Sequence, residues 1–391
     1  MVTIPLPLSA EPVADPAALG FDPEALEGLE QRVRQEVDAG LLPSCQLALA
    51  REGQVAWVRT VGDATPTSRY VIFSATKALV AGAAWLLIGE GRLDPAERVA
   101  EVVPEFGASG KEAITVEQVM LHTSGFPRAP LGPPGWGDRA RRLEALARWR
   151  CNWEPGTRYE YHPTSAHWVL AEIIERRSGE DYRAFIRRRI IDPLGLRDLR
   201  LGMLPGDPSV SNVAPLVSTG EPPTPDELEA VLGIRALPVT EVTQEALLEF
   251  NDPDNLAVGV PGGGAVSTAA DLALYYQALL HNASSLWDDA VLHDATSTVR
   301  NRLPDYLGVP ANRALGVVIA GDDGKAHLRG FGHRVSPRAF GHNGAGGQIA
   351  WADPETGVSF CYFTNGLDEH VLRQSRRTSG IASRAALCAS R

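Results

Sequence analysis

The chain has 391 residues, a formal net charge of −11, and a hydrophobic fraction of 44% against 22% charged, proportions of a soluble globular protein large enough for one extended core or two smaller lobes. Acidic charge scattered along the sequence argues against a nucleic-acid partner, and no run of about 18 apolar residues offers a membrane span. Cys45, Cys151, Cys361 and Cys388 are too far apart for a CxxC or zinc-finger spacing, so free thiols are expected, with no metal and no cofactor.

Met1 to Gly20 carries prolines and acids but neither a basic head nor a continuous apolar stretch, which predicts no signal peptide, no anchor and a cytoplasmic location. Asp22-Pro23-Glu24 starts a helix running to about Asp38, with Leu26, Leu29, Val33 and Val37 at helical spacing. Two β-rich runs, from Ser44 to Ala50 and from Gln54 to Arg59, flank a Glu52-Gly53 turn and read as an antiparallel hairpin.

Next comes Ser74-Ala75-Thr76-Lys77, the only place where a lysine follows a serine by three residues in a chain with three lysines. The β-branched and aromatic run Arg69 to Phe73 precedes it, and the small apolar run Ala78 to Ile88 follows. Ser74 is thus expected to open a buried helix with Lys77 one turn along. A helix N-terminus and apolar surroundings both disfavour the protonated amine, and a neutral amine one turn from a hydroxyl can take its proton and make a nucleophile. The bland alternative is a serine N-cap with a surface lysine. A helix this apolar has little solvent face to give a charge.

From about Leu93 to Leu232 the pattern is helical, broken by proline- and glycine-rich loops such as Ala129 to Gly135. Strand signals return at Leu315 to Ala320, Gly347 to Ala352 and Val358 to Phe363, and the residues after His370 form a closing helix. This order predicts an α/β plus all-α architecture. Residues 1–88 and 255–391 form an antiparallel sheet flanked by helices, residues 89–254 form a mostly helical insert, and the active site lies in the cleft between them. Pro261-Gly262-Gly263-Gly264 lacks the Gly-Lys-Ser/Thr that would make it a phosphate loop, and no Gly-x-Ser-x-Gly is present.

Several segments together resemble one family. Ser74-Ala75-Thr76-Lys77 resembles the SxxK of serine β-lactamases and penicillin-binding proteins. Gly91 to Asp94, Met120 to Pro127, Pro193 to Leu196, Pro261 to Leu272 and Gly341 to Gly347 resemble the class C β-lactamase branch and its esterase relatives, in the family's order. The resemblance implies a β-lactamase/transpeptidase-like fold in which Ser74 is acylated and Lys77 shares its proton. It also implies a helical-lobe tyrosine that completes the base and protonates the leaving group. Tyr161 fits that place, with Tyr159 as the alternative. An unperturbed phenol ionises near pH 10, so such a base needs a nearby cation such as Lys77.

The resemblance further implies an oxyanion site from the backbone N–H groups of Ser74 and Ala345, the latter open by one residue because of Gly346-Gly347. Substrate contacts are expected from His342, Gly344, Gly346, Trp351, Phe126 and Trp136, with Trp153 a further candidate for an apolar wall. His122 is read as a structural residue at a loop edge. Two departures bear on the substrate. Where lactamases carry an amide-holding asparagine, two positions after the tyrosine, this chain has Pro163, which has no side-chain donor. Where they carry the lysine of Lys-Thr-Gly it has His342, at most a part-time cation. That profile resembles the family VIII carboxylesterases and implies a small-molecule ester as substrate. A lactamase, a D-amino-acid peptidase or amidase, an acyltransferase, and a non-turnover sensor module remain the alternatives.

Overall fold

The computed structural model describes residues 8–13, 15–203, 207–237 and 242–389. Helix α1 (Pro23–Asp38) starts with proline in its first turn and with the Asp22 carboxylate accepting from Glu24 N–H, so its entry is fixed by a cap and a preset φ. Strands β1 (Ser44–Arg51) and β2 (Gln54–Gly62) are joined through Glu52 at φ 54° and Gly53 at φ 74°, two successive left-handed residues that match the twist of a tight hairpin. In chain order there follow β3 (Tyr70–Val71), α2 (Thr76–Gly89), α3 (Ser165–Ser178), β4 (Ala265–Ser267), α4 (Ala269–His281), β5 (Val318–Ile319), β6 (Phe340–Gly341), β7 (Ile349–Asp353), β8 (Val358–Thr364) and α5 (Val371–Ala385).

The main sheet has six strands in the order β2-β1-β8-β7-β6-β5, each pair antiparallel. Both of its faces are covered. Because side chains alternate along a strand, Ala350 and Ala352 of β7 point into a core shared with α2 and α4, while Ile349 and Trp351 point into a second core shared with α1 and α5. A buried ion-pair chain ties the two terminal helices to the rest: Arg377 Nε donates to Glu36 Oε2 at 2.7 Å, and its Nη2 to Asp368 Oδ2 at 2.6 Å.

The strand expected over residues 315–320 is shorter than its β-branched sequence suggests. Gly316 sits at φ 101°, and an added Cβ would lie 2.4 Å from that of Ala81. Leu315 and Gly316 therefore form a turn pressed on α2, and only Val318–Ile319 pairs. The segment between the two sheet-forming regions is mainly helical but also carries Arg200–Leu201, paired with β4, and Val217–Thr219, paired in parallel with Gly366–Asp368. Among the described residues no helix is long and apolar enough to cross a membrane.

Helix α2 is enclosed on every side, with all residues from Thr76 to Leu87 buried. Each fully buried large aliphatic side chain contributes about 1.5–3 kcal/mol, so this central helix is a main source of stability. Small residues let its neighbours approach: a Cβ on Gly82 would lie 2.4 Å from Tyr275 Oη, whose hydroxyl donates to the Ala78 carbonyl at 2.9 Å.

Candidate active site

Ser74 lies in a short 3-10 turn, Phe73–Ala75, that leads into α2. The N-cap of α2 is Ala75, with no side-chain capping bond, so the capping role open to Ser74 from sequence is not the one it takes. Phe73 holds φ at 44°, a left-handed backbone that a bulky residue adopts only under constraint. Its ring supplies the constraint, buried at 2% exposure and packed edge-on against Phe250 at 5.8 Å.

Lys77 is 0% exposed. Its Nζ donates to Ser74 Oγ at 3.0 Å and to the carbonyl of Gly262. Tyr161 Oη reaches the same Ser74 Oγ at 2.9 Å, and Lys77 Nζ stands 5.1 Å from the centre of the Tyr161 ring. One hydroxyl oxygen is thus flanked by an amine and a phenol. Tyr159 does not reach Ser74; its hydroxyl accepts from Arg313 Nη2 at 3.3 Å.

The tyrosine segment is held by buried histidines. His162 Nδ1 lies 2.6 Å from the Glu160 carbonyl and must carry the proton there, which leaves Nε2 to accept from Phe126 N–H at 3.1 Å. His122 Nδ1 accepts from His162 N–H at 3.2 Å, and its ring lies 4.8 Å from that of Tyr161. Burial pulls His162 down to about 3. His122, His167 and His342 are held well below the ordinary histidine range by burial, reinforced by the positive charge of Arg313. All four are neutral at neutral pH, so His342 supplies no cation at all.

Two cavities meet at Ser74. One, of about 390 Å³, is apolar and walled by Phe73, Leu131, Trp136, Leu247 and Phe250. The other, of about 400 Å³, is more polar than the first and its lining includes Tyr159, Tyr161, Arg313 and His342. Ser74, Pro163 and Ala345 border both. Ala345 begins a tight turn closed by Gly344 N–H donating to the Gln348 carbonyl at 3.0 Å.

Of the residues expected from sequence, Ser74, Lys77, Tyr161, Ala345, His342 and Trp136 come together here, and four expected substrate contacts do not. Trp351 is 0% exposed in the second core beside Phe360, on the sheet face turned away from α2. Phe126 is 0% exposed among Phe106, Trp149 and His162. Gly344 and Gly346 border neither cavity. A Cβ on Gly344 would lie 2.3 Å from the Ile72 carbonyl, and one on Gly346, at φ 70°, would lie 2.5 Å from Leu367 Cδ2, so close packing accounts for both glycines. Trp153 sits against His162 at 6.3 Å. Sequence reasoning missed Arg313, whose guanidinium lies 5.2 Å from the centre of the Tyr161 ring, and Gly262, whose carbonyl holds Lys77.

The Beta-lactamase family model matches residues 29–383. Esterase/beta-lactamase LipL of Mycobacterium tuberculosis is 29% identical over 340 residues, covering 80% of this chain and 72% of that protein. The crystal structure of a penicillin-binding protein homologue from Caulobacter crescentus superposes with a TM-score of 0.76 at 28% identity, covering 94% of this chain and 99% of that one. A family VIII carboxylesterase superposes with a TM-score of 0.74 at 23% identity, with the same coverage, a likeness of fold.

Proposed function

The chain belongs to the β-lactamase family and is a serine hydrolase of that family, and on that premise we propose that it is a carboxylesterase working through an acyl-enzyme on Ser74. The observation that carries this reading is the placement of Ser74 Oγ, 3.0 Å from Lys77 Nζ and 2.9 Å from Tyr161 Oη, where the two cavities meet. A hydroxyl within hydrogen-bond reach of two groups able to take its proton is an activated nucleophile.

In this reading Ser74 Oγ attacks the ester carbonyl carbon while its proton passes to the Lys77–Tyr161 pair. The carbonyl oxygen becomes an oxyanion held by the backbone N–H groups of Ser74 and Ala345. As the tetrahedral centre collapses, the bond to the alcohol oxygen breaks and Tyr161 returns the proton to that oxygen. Water, deprotonated by the same pair, then attacks the acyl-enzyme; the acid leaves and Ser74 recovers its proton. Preference for esters over amides is supported by Pro163, which borders both cavities without a side-chain donor, and by the neutrality of His342.

The likeness to LipL, an esterase/beta-lactamase, favours a second reading, in which a β-lactam acylates the same serine. Burst kinetics with a chromogenic ester and with nitrocefin decide. Steady ester turnover with little nitrocefin hydrolysis is expected; a single stoichiometric burst, or silence, with the ester would overturn the esterase reading.

A further inference from the structure

We infer that a third cavity, walled by the turn Arg187–Ile191 and the strand Arg200–Leu201, binds an amphiphilic carboxylate of the kind that ester hydrolysis releases, and that its occupation slows the catalytic centre. The inference rests on the ester-hydrolase reading for the identity of the ligand and adds a regulatory site to it.

The cavity holds about 360 Å³ and shares no lining residue with the two that meet at Ser74. The buried side chains of Ile191, Leu199 and Leu201 make its wall apolar. Its charge is positive: Arg183, Arg187 and Arg200 line it against one carboxylate, Asp181, in a chain whose net charge is −11. Asp181 is taken by Arg183, whose Nε and Nη2 donate to it at 2.9 and 2.7 Å. Arg187 reaches Asp192 at 3.6 Å with both side chains mostly exposed, a pairing that contributes little. Arg200 Nη1 donates to the Leu199 carbonyl at 3.0 Å, and among the described residues no carboxylate lies within ion-pair distance of it. Two guanidinium groups thus have donors to offer an anion.

The wall also contains a local irregularity. Asp192 N–H donates to the Arg187 carbonyl, five residues back, at 2.8 Å, so Arg187–Ile191 is a π turn, a rare widening of a helix that occurs frequently at functional sites. Its two ends, Arg187 and Ile191, supply a charged and an apolar member of the lining. An apolar wall beside guanidinium groups matches an alkyl or aryl tail that ends in a carboxylate. The reaction at Ser74 releases such an acid, with an acyl part that fits the apolar cavity of about 390 Å³.

Ala257, also in the wall, begins a segment that leads to the catalytic amine. Arg183 Nη1 donates to the carbonyls of Ala257 and Val258 at 3.3 and 3.1 Å, and Tyr182 Oη donates to that of Gly259 at 2.7 Å. A Cβ on Gly259 would lie 2.5 Å from Gly202 N, so this segment and the strand beside the cavity are pressed together. Three residues further on, the Gly262 carbonyl accepts from Lys77 Nζ. A carboxylate that draws Arg183 Nη1 to itself replaces the two carbonyl acceptors, so the ligand favours an arrangement in which residues 257–262 are held less firmly. The Gly262 carbonyl then aims the amine less well, and small displacements of reacting groups are costly.

The test compares octanoate with octanol on the wild type, on the double variant Arg187→Gln/Arg200→Gln and on Ala184→Phe, which fills the cavity without touching its charge. Isothermal titration of the wild type with octanoate should show a binding step that both variants lack, while octanol should bind all three proteins alike. With 4-nitrophenyl acetate as substrate, saturating octanoate should lower the kcat of the wild type by about fivefold or more and leave that of both variants unchanged. Octanoate that raises KM and spares kcat in the wild type would overturn the inference, since it would then act only in the catalytic cavity. Octanol lowering kcat as octanoate does would overturn it too, because the arginines would not be reading a carboxylate. If no ester turns over, the titrations decide: octanoate isotherms that are the same in all three proteins would refute the site whether or not the esterase reading stands.

Discussion

Lys77 Nζ donates a hydrogen bond to the carbonyl of Gly262, a residue 185 positions further along the chain. The amine is therefore aimed at Ser74 from two directions: by α2, which fixes its stem, and by the Gly262 backbone, which holds its tip. A Cβ at Gly262 would lie 2.8 Å from the Pro163 carbonyl, 3.1 Å from Thr164 Cα and 3.5 Å from Lys77 Nζ. Gly262→Ala must displace backbone on both sides of the cleft. Displacements of about 1 Å at reacting groups cost roughly 10²-fold, so kcat for a nitrophenyl ester should fall by that order. Unchanged kcat would show that the Gly262 carbonyl does not position the amine.

Ser74→Ala is expected to abolish both ester turnover and fluorophosphonate labelling, because Ser74 Oγ is the hydroxyl that both Lys77 Nζ and Tyr161 Oη reach. Intact-protein mass spectrometry reads the label directly. A labelled Ser74→Ala protein would place the nucleophile elsewhere.

Tyr161→Phe removes one hydroxyl and keeps the ring under Lys77 and Arg313. General acid–base groups contribute about 10²–10⁴-fold, and kcat should fall within that range with folding intact. Tyr159→Phe, which loses only the hydroxyl facing Arg313, should cost far less in kcat. Equal losses in the two variants would contradict the assignment of Tyr161.

Short-chain nitrophenyl esters should be cleaved with kcat/KM about 10² above that for nitrocefin. Pro163 offers no side-chain donor, so an amide gains nothing at that position and still has to be desolvated. Nitrocefin as the better substrate would overturn the argument from Pro163.

Four buried histidines make stability pH-dependent. Histidine in an unfolded chain titrates near 6.5, whereas in the fold His122, His167 and His342 stay neutral well below that value and His162 down to about 3. Below pH 6.5 the unfolded chain takes up protons that the folded chain refuses, so stability is present above that pH and lost as pH falls. The slope is up to about 1.4 kcal/mol per histidine per pH unit. Urea midpoints at pH 7.5, 6.0 and 5.0 should decline steeply, and a flat series would mean that the cluster accommodates charge.

The serine–lysine pair was readable in the sequence because its geometry is local: three residues of separation and an apolar run set both the turn and the dryness of the amine. Tyr161 was readable through its neighbours, with Tyr159 separable only once the segment was folded against His122. Arg313 carries no local mark, being one arginine in a loop whose closeness to Tyr161 arises only from tertiary packing. Trp351 was misplaced although strand parity held the answer. Small residues at Ala350 and Ala352 leave room for α4 on one face, and that alternation sends the intervening tryptophan to the other. The glycines after His342 suggested an opening for substrate, but Leu367 and the Ile72 carbonyl already fill the space beside two of them.

Strand β1 lies between β2 and β8, with Cys45 opposite both Val61 and Thr364. During synthesis on the ribosome the first hairpin emerges early and then waits, one edge bare, until residues 358–364 have been made. An edge open for that long can recruit strands from neighbouring nascent chains. Slower translation at low temperature, or a holdase that shields the hairpin, should therefore raise the soluble yield, and catalytic activity should first appear only when β8 has slotted into place.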